Sequence, residues 1–272
     1  MTADVPAALL EDSELRRALA AAEIEARPDG GPDPAALRVE PCATAPSSPS
    51  AWLVVLRRSE PREVVLRAAG AEGGLGDLPA GATVALTGTR RAALLGLHRP
   101  ALHAVRVDDL RGAAALLERG EVDAAIASDH AARVLGLTDR IVEALEPVSW
   151  LPAPGQAGLV IVPAGGGLGT SRSGALPDPV RLALGRIEHG PTRVEVSTEL
   201  AVRDALDARL GSRLGVLARV HGRRIRVRAM VVDAARPRMI RAEASADVTE
   251  AAETARRVAD DLVRRGASEL AA

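Results

Sequence analysis

The stretch VALTGTRRAALL, residues 84–95, sets the frame for the whole chain. A short apolar run, Val84–Leu86, is followed by a turn at Thr87-Gly88 and then by a helical stretch over Arg90–Leu97. The same order recurs twice. Ala104–Val107 and Val122–Ala127 read as strands, and Ala113–Arg119 and His130–Leu135 as helices, the last closed by Gly136. Strands alternating with short helices predict βαβ units on a parallel sheet, that is, an α/β fold.

Upstream, SELRRALAAAEIEA (13–26) predicts a helix with Ser13 as N-cap. LRVEPCA (37–43) and Trp52–Leu56 predict strands, and ATAPSSPS (43–50) and AAGAEGGLGDLPAG (68–81) predict loops. Downstream, Asp139–Leu145 is expected to add a helical stretch, LPAPGQ (151–156) a rigid turn, and Gly158–Val162 a buried strand. Residues 163–180, with GGGLG at 165–169, read as a linker. In the last third, Thr192-Arg-Val-Glu195 predicts a capping box opening a helix to about Arg209. Leu214–Val220, Arg224–Val232 and Met239–Ala244 predict strands, and 249–264 a final helix, together an α+β domain.

Composition narrows the function classes. The chain has 272 residues, is 47% hydrophobic and 26% charged, and carries a net charge of −1, which exerts no overall pull toward nucleic acid or an acidic membrane. Its single cysteine, Cys42, permits no internal disulfide. The start, MTADVPAALLEDSELRR, has acidic residues where an export leader needs basic ones, and no long apolar run predicts a membrane span. These features predict a cytoplasmic setting. The five histidines form no metal-binding helical pair, and GGGLG lacks the spacing of a phosphate loop.

Two local patterns point to anions. Thr87-Gly88 ahead of Arg90 and Arg91 offers free N–H groups and two guanidinium groups at one helix start; the alternative is a solvated helix start. Arg111-Gly112 repeats the arrangement one unit later, and the carboxyl ends of neighbouring parallel strands border one crevice. RRIRVRAMVV (223–232) alternates Arg224, Arg226 and Arg228 with Ile225, Val227 and Ala229. It reads as the wet face of a half-buried strand in preference to a nucleic-acid stripe, so no nucleic-acid partner is expected.

Several of these fragments, taken in order, carry a resemblance. Ser59-Glu-Pro-Arg62, Leu78-Pro-Ala-Gly81, the 84–91 run, Leu110-Arg-Gly112, Gly120-Glu-Val-Asp-Ala124, Leu135-Gly-Leu137 and LPAPGQ resemble successive motifs of hydroxymethylbilane synthase, also called porphobilinogen deaminase. The resemblance runs from about Trp52 to the C-terminus. It implies two periplasmic-binding-protein-like α/β lobes plus a C-terminal α+β domain, with Pro154, Gly155 and Gln156 at a crossing between lobes. It divides the chain into a truncated first lobe (1–66 and 157–178), a second lobe (67–150) and a C-terminal domain (188–272). It implies substrate carboxylates on Thr87, Gly88, Arg90, Arg91, Arg111 and Gly112, and a dipyrromethane cofactor on a C-terminal-domain cysteine. That cysteine falls on Leu210, no H-S-x-K-D-V-P motif occurs, and the arginine before L-G-L falls on Val134. The expectation is therefore a family member without a catalytic residue set, a cofactor or a metal, whose partner is a small carboxylated, porphobilinogen-like molecule. The alternatives are an active synthase with an unusual site and a non-catalytic binding module for a small carboxylate. Nothing in the sequence specifies a protein partner.

Overall fold

The computed structural model describes residues 2–6, 9–10, 12–28, 37–45, 51–163, 178–233 and 235–271. Three sheets organise it. The first has the order β2-β1-β3-β10-β4, from Glu25–Pro28, Thr2–Val5, Leu37–Pro41, Leu159–Pro163 and Val54–Val55. The second has the order β7-β6-β8-β5-β9, from His103–Arg106, Thr83–Leu86, Ala124–Ser128, Glu63–Leu66 and Ile141–Ala144. In each, parallel strands are joined by one antiparallel strand, β10 in the first and β5 in the second. Each of those two strands follows a segment that leaves the other sheet, so the chain crosses between lobes twice, over 56–62 and 145–158. The result is a two-lobed α/β architecture.

The expected alternation is present: α2 (Thr89–His98) follows β6, α3 (Leu110–Glu118) follows β7, and α4 (Asp129–Val134) follows β8. The third sheet is the antiparallel meander β11-β12-β13 (Leu214–His221, Arg224–Val232, Met239–Asp247). Helices α6 (Gly190–Asp204) and α7 (Ala251–Arg264) bury Val202, Ala255, Val258 and Leu262 against Val216, Val227 and Val231 on one face. Part of the opposite face, Leu217, Met230 and Val232, joins Trp150 and Leu151 in the second lobe's core. Helices α1 (Ser13–Ala21) and α5 (Asp178–Ile187) cover the first sheet through Leu15, Leu19 and Leu184.

Several expectations are corrected. The first lobe is not short of strands. It holds five, because Thr2–Val5 and Glu25–Pro28 pair in register as parallel strands, although each is only four residues long. Residues 63–66 belong to the second sheet, not the first lobe, since Glu63–Leu66 pairs with Ala125–Ser128. The helix from Ser13 stops at Ala21: Glu23 takes φ 56°, which ends it, and β2 begins at Glu25. Its cap is Asp12, whose side chain accepts from the amides of Glu14 and Leu15. Residues 141–144 form strand β9 against β5, not a helix; β-branched Ile141 and Val142 suit the strand. The Thr192–Glu195 capping box does not form. The helix starts earlier, at Gly190 with His189 as cap, and Glu195 accepts from the amide of Val220 instead. That helix ends at Asp204, before the expected Arg209. Most of the 163–180 linker, with GGGLG, and residues 46–50 of the Ser/Pro loop lie outside the described residues.

Candidate functional site

The carboxyl ends of β7, β6 and β8 lie side by side, and each leads into a helix start. Two starts are closed by their own chain: Asp109 accepts from the amide of Gly112 at 2.7 Å, and Ser128 from the amide of Ala131 at 3.2 Å. The start of α2 has no side-chain cap. Its N-cap is Gly88, at φ 77° and ψ 162°, a conformation that disfavours any side chain. Gly88 is exposed, and the first amides of α2, with the positive end of the helix dipole behind them, have no capping side chain.

Arg90 and Arg91 project from that first turn, and both meet Glu63, the opening residue of β5. Glu63 sits there because the antiparallel register places it opposite Ser128, at the carboxyl end of β8. Arg90 Nη2 donates to Glu63 Oε1 at 2.5 Å, and Arg91 Nε to Oε2 at 3.0 Å. Arg90 also donates to the Leu151 carbonyl, and Arg91 Nη1 to Thr87 Oγ1 at 2.6 Å. Glu63 is wholly buried and Arg90 nearly so. Burial pushes the Glu63 carboxyl upward, but the charges and hydrogen bonds of Arg91 and Arg90 outweigh this, leaving it below the usual carboxylate range. Two arginines on one carboxylate leave one net positive charge beside the uncapped helix start. Arg90 is committed inward, whereas Arg91 is partly open and Arg111, in the first turn of α3, is exposed. Thr87, Gly88, Arg91, Arg111 and Gly112 thus all lie at the carboxyl ends of the adjacent strands β6 and β7.

The crossing residues meet a second buried ion pair. Arg58, on the first crossing, donates to Glu199 of α6 at 2.6 and 3.0 Å and to the Gln156 carbonyl at 2.8 Å. Glu199 also accepts from the amides of Gly155 and Ala218 at 2.8 and 2.9 Å. Gln156 donates to the Pro61 carbonyl and accepts from the amide of Ala153. Pro154 is buried beside them. Both crossings and the third domain are thereby tied to one carboxylate. At Gly155, φ is 74° and a Cβ would come within 3.1 Å of the Ala43 amide nitrogen. Gly155→Ala is expected to destabilise the chain by about 2–3 kcal/mol, combining left-handed strain with backbone crowding. A urea-unfolding midpoint indistinguishable from the parent's would contradict this.

The cofactor position does not fit a thioether. Leu210 lies in a 3-10 turn over Ala208–Arg213 and is buried in the third domain's core with Leu206, Leu214 and Leu270. Cys42, the one thiol, is fully buried beside Gly158, and burial pushes it up to about 12. It is therefore protonated and enclosed at neutral pH. Among the described residues no group of three or more His, Cys, Asp or Glu is placed to hold a metal, and no helix is long and apolar enough to cross a membrane. The alternating strand 224–232 turns Arg224 and Arg226 to solvent and buries Ile225 and Val227; Arg226 and Arg228 both bind Glu243.

Glu63, Arg58 and Glu199 were missed by sequence reasoning. Their charged partners lie 27 to 141 residues away in the chain. The one local sign was a lone acid at the head of the apolar run Glu63–Leu66.

Two α/β lobes joined by paired crossings, with a third α+β domain, define a two-lobed α/β protein. Residues 43–165 match the family described as porphobilinogen deaminase, dipyromethane cofactor binding domain. The porphobilinogen deaminase of Thermobifida fusca (strain YX) is 30% identical, over 96% of this chain and 78% of that protein. That of Xanthomonas campestris pv. campestris (strain B100) is 33% identical, over 80% and 68%. The chain belongs to the porphobilinogen deaminase family.

Similar solved structures include the substrate-binding domain of a molybdenum ABC transporter from Clostridium difficile, at TM-score 0.44 and 11% identity, covering 70% of this chain and 92% of that one. They also include the periplasmic VFT2 domain of Bordetella pertussis BvgS, at TM-score 0.34 and 16% identity, covering 65% and 83%. These likenesses run against the cytoplasmic setting expected from the sequence, which is withdrawn. At such TM-scores they carry nothing about ligands.

Proposed function

We propose that this chain is a non-catalytic member of its family that binds a small carboxylated or similarly anionic molecule on its second lobe. The observation that carries the reading is the uncapped start of α2 beside Arg90 and Arg91, which share the single carboxylate of Glu63. Bare amides, a helix dipole and an excess positive charge favour an oxyanion, and Arg91 offers a planar donor fork to it. Thr87 and Gly88 form the turn, and Arg111 and Gly112 supply the neighbouring helix start. The absence of polymerising chemistry follows from Leu210 and from the enclosed thiol of Cys42, since a growing pyrrole chain has no nucleophile to hold it. No cofactor is carried.

Two measurements test this. Titration calorimetry with porphobilinogen is expected to show binding that weakens with salt and falls about tenfold in Arg91→Ala, equivalent to about 1.4 kcal/mol. The intact mass after incubation with porphobilinogen is expected to stay that of the bare 28.1 kDa polypeptide. A mass increment of two pyrrole units would overturn the non-catalytic reading, and the same weak binding by parent and variant would overturn the anion site.

A further inference from the structure

Apart from the chain crossings, the lobes also meet through two helices that sequence reading did not connect. Helix α4 of the second lobe lies against the start of α1 in the first. Val134, in the last turn of α4, packs against the first lobe's apolar cluster, which contains Leu15, Leu19 and Leu37. One turn earlier, His130 Nδ1 stands 3.7 Å from Asp12 Oδ2. Asp12 is held from its own side, because its Oδ1 accepts from the amides of Glu14 and Leu15. Glu14 in turn accepts from Ser59 Oγ of the first crossing at 2.9 Å. Val134, His130, Asp12, Glu14 and Ser59 therefore form one continuous contact beside the crossings.

This contact differs in kind from the Arg58–Glu199 junction. There, each carboxylate oxygen of Glu199 has an arginine nitrogen and a backbone amide within 3.0 Å. Here, Asp12 Oδ2 and His130 Nε2 are both buried without a hydrogen-bond partner, and the pair between the two residues is beyond hydrogen-bond length. Buried polar atoms left unpaired oppose the closed state, and water would satisfy both on separation. The apolar seat of Val134 favours closure. A well-satisfied junction with a weakly satisfied contact beside it has the form of a hinge with a releasable clasp.

We propose that the α1–α4 contact is such a clasp: it sets the angle between the lobes through Val134 and the Asp12–His130 pair, and it releases as a unit. The inference stands independently of what the second lobe binds.

The test uses nitroxide labels at Arg17→Cys on α1 and Glu118→Cys on α3, both exposed positions, in the full chain. Cys42 is fully buried and takes no label under native conditions. Pulsed electron resonance is expected to give one narrow distance distribution for the labelled parent. Adding Val134→Glu should lengthen and broaden it, and Val134→Ala, which trims the apolar seat without burying a charge, should shift it the same way by less. A parent distribution that is already broad, or three distributions that superimpose, would overturn the clasp. Should Val134→Glu fail to show a cooperative melt, Val134→Ala decides alone, and an unshifted distribution there counts against the proposal.

Discussion

Glu199→Ala is expected to destabilise this protein by about 3–5 kcal/mol, the range for removing one member of a buried ion pair. The loss is large because one carboxylate serves three parts of the chain. Arg58 keeps its charge in a buried setting without its partner, and the amides of Gly155 and Ala218 lose their acceptor. At about 2–4 °C per kcal/mol, the melting temperature should fall by roughly 10 °C. The effect should also be local: amide exchange should accelerate over 56–62 and 151–158, where the crossings lose their common anchor. Glu199→Leu combined with Arg58→Met should be less damaging than Glu199→Ala, since an apolar pair leaves no stranded charge. By contrast, Arg226→Ala, on an exposed pair with Glu243, should change stability by less than about 1 kcal/mol. A Glu199→Ala variant within that smaller range would show that the junction does not hold the three parts together.

The parts of the fold that sequence showed are those whose signal is local. Between residues 84 and 135, apolar triplets, a Gly-bearing turn and a helical run repeat within a few residues of each other, so the parallel unit is legible from periodicity alone. The rigid turn at LPAPGQ was legible too, because proline fixes the backbone wherever it stands, while its place as a crossing came from the family resemblance; the structure adds that Gly155 is needed for its approach to Ala43. The first lobe was under-read for the opposite reason. Its strands Thr2–Val5 and Glu25–Pro28 are four residues each and carry charges, and they pair with each other from opposite sides of helix α1, with no local sequence signal to join them. Residues 141–144 were misassigned because a short apolar run with an acid inside it suits helix and strand alike, and only the neighbour β5 decides. For the site, arginines at a helix start were visible, but whether they are free depends on Glu63, which reaches them only through the register of β5 with β8.

That dependence yields the most informative single change at the candidate site. Glu63→Gln keeps the volume and removes the charge that Arg90 and Arg91 share. Arg90, nearly enclosed, is left without its counter-charge, while Arg91, being partly open, can turn toward solvent. The expected cost is about 3 kcal/mol at neutral pH, the lower end for a broken buried pair. The sign of the pH dependence follows from the depressed Glu63 carboxyl. Its stabilisation is present above the unfolded-state value of 4.5 and is lost as pH falls through the lower folded value. Parent and variant should therefore differ fully near neutrality and converge in acid. Anion binding should move the other way. With Glu63 neutral, the local charge beside the α2 start rises by one unit, so added phosphate should raise the melting temperature of Glu63→Gln more than that of the parent. The comparison is a thermal melt of both proteins across a phosphate series at constant ionic strength. A variant that is less stable but no more responsive to phosphate would mean that Arg90 and Arg91 serve only to anchor β5, and that the second lobe takes its anion elsewhere or takes none.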